Sequence, residues 1–99
     1  MTEVYANKEK NEYSIRVDNH AKTKEVCSAV SAILYALEGA LFNNDYALNH
    51  VSTLEPGHAE ISAVCYDHTA AEDFRMAIIG LLQIQIAFPD EVVITQNIL

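Results

Sequence analysis

Cysteine is scarce in this chain, and so is positive charge. The two cysteines, Cys27 and Cys65, cannot make a disulfide framework. No basic segment followed by an apolar one opens the sequence, so the expected compartment is the cytoplasm. Six Lys and Arg stand against fourteen Asp and Glu, a formal net charge of -8. That charge repels phosphates and argues against a nucleic-acid surface, while a basic protein would be attracted. A membrane span is not expected either: acidic residues interrupt every long hydrophobic stretch except the second predicted helix, which is too short and reads as buried. Repeats, linkers and low-complexity stretches are missing as well. With 99 residues, 51% of them apolar, there is material for one domain, 1–99, with a single core. A core of that size is naturally completed by burying an apolar face in a homodimer.

The pattern of apolar residues predicts the elements. Residues 2–6 and 12–18 are strand-like, separated by the polar run 7–11, and read as a hairpin. Alternation puts Tyr13, Ile15 and Val17 on one face of the second strand and Ser14, Arg16 and Asp18 on the other. From Thr23, a predicted N-cap, the stripe Val26, Ala29, Val30, Ile33, Leu34, Leu37, Ala40, Leu41 marks an amphipathic helix ending near residues 43–45. Pro56 and Gly57 set a turn between strands 46–54 and 59–66. A capping box, Thr69 with Glu72, is expected to start a second helix that runs to about Ala87 and is buried on more than one side. Pro89 ends it, and residues 92–95 are the last strand. The order β-β-α-β-β-α-β predicts an α+β fold, a two-layer sandwich of a mixed or antiparallel sheet with two helices packed against it.

The chemistry concentrates where the second strand turns into the first helix. His20 closes one element and Cys27, one residue past the buried Val26, opens the next at the flank of the apolar stripe. A thiolate is the nucleophilic form of cysteine, and a first-turn helical position beside an imidazole favours it. Acyl transfer, most simply peptide hydrolysis, is the reaction such a pair performs. An orienting group for the imidazole lies within local reach at Asp18, Asn19 or Glu25, and the amides of Val26 and Cys27 are the expected oxyanion donors.

The run His20-Ala21, a short gap, then Val26-Cys27 with Ser31-Ala32 resembles the ribosomal-processing cysteine protease family, Prp. Its pattern reads G-H-A, a flexible loop, then G-x-D-x-V-C-A-x-x-S, and the order of elements along nearly the whole chain is similar too. The resemblance implies Cys27 as nucleophile and His20 as general base, with no cofactor. It also implies an enzyme that trims the N-terminal extension of a large-subunit ribosomal protein, or a phage capsid or scaffold protein, in the cytoplasm. This chain departs from the pattern: Asn19, Lys22 and Lys24 stand in place of the family's two glycines and aspartate, and the loop is shorter. The different-class alternative is a catalytically silent dimeric binding module on the same fold.

Other candidates have plainer readings. Cys65 and His68, with His50 and His58, invite a zinc site, yet Cys65 falls in phase with Ala59, Ile61 and Ala63 and is expected inside the core, with no metal bound. Ser28 and Ser31 read as helix-packing residues. The five tyrosines read as packing residues with hydroxyls toward water, and no binding residues are assigned from them.

Overall fold

The computed structural model describes all 99 residues. Alternation in the strands and helical spacing between them build, in order, β1 (Thr2–Glu9), β2 (Glu12–Asp18), α1 (Lys24–Phe42), β3 (Ala47–Glu55), β4 (His58–Cys65), α2 (His68–Ala87) and β5 (Val92–Gln96). The strands form one mixed sheet in the order β3-β4-β2-β1-β5. Only the β1–β5 pair is parallel, because α2 carries the chain from β4 across to the far edge before β5 is laid down. The two helices and the sheet share one core, and the α+β sandwich expected from the sequence is the fold.

Tyr13, Ile15 and Val17 are buried on the helix side of β2, and Ala59, Ile61, Ala63 and Cys65 join them from β4. Helix α1 buries Val26, Val30, Leu34, Leu37 and Leu41 against this face. Phe74 of α2 is fully buried with its ring centroid 5.4 Å from that of Tyr13. Burying one such side chain stabilises the fold by about 1.5–3 kcal/mol relative to leaving it in water. The edge strand β3 breaks register between Leu48 and Val51 around Asn49, whose φ is 52°. A bulge there twists an otherwise open edge away from unwanted pairing.

Four expectations are corrected. Helix α2 begins two residues before the predicted capping box: its N-cap is Asp67, whose carboxylate accepts from the Ala70 amide (3.1 Å) and the Thr69 hydroxyl (2.7 Å). Glu72 turns instead to Arg75 (3.1 Å) on the surface. Helix α2 buries one face only, through Ala70, Phe74, Ala77, Ile78 and Leu81, and leaves Met76, Ile79 and Ile86 exposed. The helix long and apolar enough by length and composition to cross a membrane is α1, not α2, and its apolar stripe lies on the sheet. The second strand of the first hairpin has its expected bounds, while β1 runs three residues further, to Glu9, because pairing with β2 continues through Glu9↔Glu12 and overrides the polar character of 7–9.

The corrected cap makes a prediction. Asp67→Ala should lower unfolding stability by about 1 kcal/mol, whereas Glu72→Ala should change it little. The Thr69 hydroxyl and the Ala70 amide hold the Asp67 carboxyl below its usual range. The charged cap therefore contributes fully above the ordinary carboxylate value, about pH 4, and its contribution is lost as pH falls through the lower folded value. Urea unfolding of wild type and Asp67→Ala at pH 7 and pH 3 should show the gap narrowing on acidification.

Candidate active site

The site is assembled by the register of β2 against β4. That register places Asp18 opposite His58 and leaves the next residue, Asn19, to meet the β3–β4 turn, where its amide donates to the Gly57 carbonyl (2.8 Å). Asn19 takes the left-handed conformation, φ 72°, which asparagine tolerates better than most side chains and which glycine adopts freely. Its carbonyl accepts from the Thr2 hydroxyl (3.1 Å). The chain thus leaves β2 at a sharp, fixed angle, and His20 follows.

His20 is exposed, and its ring leans on Gly57. A Cβ at that glycine would stand 3.1 Å from His20 Nε2, and Gly57 also has a φ of +78°. Any larger residue would strain the turn and push the imidazole aside.

Thr23 then starts α1. Its hydroxyl accepts from the Val26 amide (3.4 Å) and its carbonyl from the Cys27 amide (3.2 Å). Both amides expected as oxyanion donors are therefore taken up by the cap. Thr23 is itself held from 68 residues away: Glu91, buried at the start of β5, accepts from the Thr23 amide (2.7 Å) and its hydroxyl (3.4 Å). The Glu91 carbonyl accepts from the Thr2 amide (2.8 Å), so β5 ties down β1 and the loop together. Local sequence carries no signal for this long-range fastening.

Cys27 is half-buried, at the flank of the stripe as its spacing predicts. Its Sγ accepts from the Ala21 amide at 3.2 Å and lies 3.8 Å from the Ala21 carbonyl. The loop 20–23 therefore rests on the sulfur. His20 and Cys27 line the same groove, of about 170 Å³, between α1 and the β3–β4 turn, with Val30, Ser31 and Leu34 on one wall and Glu55, Pro56 and His58 on the other. No hydrogen bond joins the imidazole to the thiol. The groove continues past Leu34, Tyr35, Leu54 and Pro56.

None of the three expected orienting groups meets His20. Asp18 gives its carboxylate to His58 Nδ1 (2.7 Å) and Arg16 Nε (3.0 Å), and the His58 hydrogen bond is the main cause holding its carboxyl below the ordinary range. Asn19 engages Gly57 and Thr2 through its backbone, and Glu25 is exposed on the first helical turn. His58 joins the site through register alone, which no local sequence signal marks. Cys65 is buried in the core, and burial, with Asp73 and Asp67 nearby, pushes its thiol up to about 11. No three His, Cys, Asp or Glu side chains converge in a metal-binding cluster.

No family model matches this chain, and no curated protein sequence does. Solved structures do. The essential ribosomal processing protease Prp from S. aureus, in complex with a covalently linked product peptide, superposes with a TM-score of 0.85 at 18% identity, covering 98% of this chain and 100% of that one. The same protease with a substrate peptide gives a TM-score of 0.84 at 16% identity, with the same coverage. A protein from Streptococcus mutans gives 0.76 at 19% identity, covering 97% of this chain and 93% of its own. From its first strand to its last, this chain has the fold of the ribosomal processing protease Prp.

Proposed function

We propose that this protein is a cysteine endopeptidase in which Cys27 is the nucleophile and His20 the general base. The observation that carries the reading is a half-buried thiol at the first turn of a helix, in a groove it shares with an imidazole, on a fold whose solved relative holds a covalently linked product peptide. In the reaction, Sγ attacks the scissile carbonyl carbon and its proton passes to His20. The imidazolium then donates that proton to the leaving amine as the C–N bond breaks, leaving a thioester on Cys27. Water, deprotonated by His20, hydrolyses the thioester and the thiol is restored. For this the imidazole swings from Gly57 toward the sulfur, a tightening that catalytic pairs undergo on binding substrate. The Ala21 amide, which donates to Sγ in the free protein, is in this reading the donor that turns to the oxyanion.

The substrate in this reading is a peptide segment of a protein: the N-terminal extension of a large-subunit ribosomal protein, or a phage structural protein, met in the cytoplasm. The enzyme acts as a homodimer, for which the exposed Met76, Ile79 and Ile86 of α2 offer apolar surface. A second reading, a silent binding module, is favoured by one observation: Sγ is occupied by the Ala21 backbone and not by His20. Incubation with a peptide spanning that ribosomal extension, and with proteins encoded beside the gene, decides between them. The enzyme yields products mapped to one bond by mass spectrometry, and the module yields binding without products.

A further inference from the structure

Charge is distributed unevenly about Cys27. On the groove side the charged lining residue, apart from histidines, is Glu55, and the carboxylates of Asp18 on β2 and of Glu60, two residues along β4, face His58. The loop itself lines a second, shallow depression that shares His20 and Cys27 with the groove and adds Lys22, Thr23, Lys24 and Ser28, with no carboxylate among its lining residues. Both arginines of the chain are paired, Arg16 with Asp18 (3.0 Å) and Arg75 with Glu72 (3.1 Å). Lys22 and Lys24 are exposed and have no carboxylate within 4.0 Å. Of the acids around the loop, Glu25 follows Lys24 on the first turn of α1, exposed and not paired with either lysine, and Glu91 lies buried with its oxygens engaged by Thr23. Thr23 sits between the two lysines, so that anchor also fixes the backbone from which both project. A third of this acidic protein's six cations thus flank its one accessible thiol without partners.

We infer that the loop side of this site selects an acidic residue of the peptide, within reach of Lys22 and Lys24, next to the bond presented to Cys27. The inference rests on the peptidase reading and adds the substrate class on one side of the cut. A peptide laid across the thiol meets Glu55 and apolar walls on one side and two free ammonium groups on the other, so its flanks are told apart by charge. The net charge of -8 opposes an acidic peptide at long range. Physiological salt screens that field beyond about 8 Å, and contact with the lysines decides.

Two measurements test this. The first reads the local field without any peptide: the rates at which the anionic sulfonatoethyl and cationic trimethylammonioethyl methanethiosulfonates modify Cys27, each relative to its rate with free cysteine. Wild type should favour the anion by roughly fivefold, and the double variant Lys22→Glu/Lys24→Glu should reverse the preference. A wild-type preference for the cation, or none, overturns the inference. The second compares cleavage of otherwise identical peptides carrying Asp or Lys at the two positions on either side of the scissile bond. Asp on one side should be preferred, and the double variant should switch to Lys. Cleavage indifferent to that charge overturns the inference and leaves the peptidase intact. Failure to cut any peptide by a protein with the anionic reagent preference overturns the peptidase reading, and with it acid-selective cleavage.

Discussion

Cys27→Ser is expected to abolish peptide cleavage, by on the order of 10⁴-fold or more, while leaving the unfolding midpoint within experimental scatter. The substitution exchanges one atom. The serine oxygen can still accept from the Ala21 amide that now donates to Sγ, and the helix start depends on the Cys27 amide and the Thr23 carbonyl, which the change does not touch. What disappears is a sulfur nucleophile, since a neutral hydroxyl needs far stronger activation than one unassisted imidazole supplies. His20→Ala should cost less, about 10²–10⁴-fold, the ordinary contribution of a general base. Its exposed ring makes little contribution to the fold. Equal small losses from both changes, with rates merely tracking stability, would remove the dyad from the account.

The second large effect is expected at a residue that never touches a substrate. Glu91→Ala removes the acceptor that holds the Thr23 amide at 2.7 Å, and leaves that amide and the Thr23 hydroxyl in a part-buried place without it. Stability should fall by about 1–3 kcal/mol, the cost of orphaning such a donor. Turnover should fall further than stability, because Thr23 caps Cys27's own amide and carries the loop whose Ala21 amide sits at the sulfur. Glu91→Gln retains an acceptor oxygen for the Thr23 amide and should recover most of kcat. Glu91 is in this sense a positioning residue. The check is a pair of measurements on each variant, urea unfolding and kcat against KM: a loss confined to stability, or equal losses in alanine and glutamine variants, would reduce Glu91 to a packing role.

Elements were legible from the sequence wherever one face of a periodic segment had to be buried. The stripe from Val26 to Leu41 and the alternation of Tyr13, Ile15 and Val17 point inward as their spacing requires, and Pro56-Gly57 turns the chain where expected. Asp67 and Thr69 are both competent caps for α2, and choosing between them needs the strand end at Cys65. Helix α2, expected to be buried on more than one side, exposes Met76, Ile79 and Ile86 because hydrophobicity reports what a residue prefers, not whether a partner is there to cover it. At the site, the order His20 to Cys27 was readable, as was the half-exposed flank position of the thiol. The partners were not. Asp18 was a local candidate for His20, but pairing of β2 with β4 hands its carboxylate to His58, and parallel pairing of β5 with β1 brings Glu91 to Thr23. Such contacts follow from strand register across the sheet, which single-sequence periodicity does not specify.

The account turns on Cys27 being a poised nucleophile while Cys65, its thiol pushed up to about 11 inside the core, is inert. Timed alkylation of the native protein with iodoacetamide between pH 6 and 9, read by peptide mass spectrometry, tests this directly. The account predicts a single adduct on Cys27, formed faster than on free cysteine at the same pH, with Cys65 unmodified until the protein is unfolded. Equal labelling of the two cysteines at neutral pH, or reaction of Cys27 no faster than that of free cysteine, would contradict it.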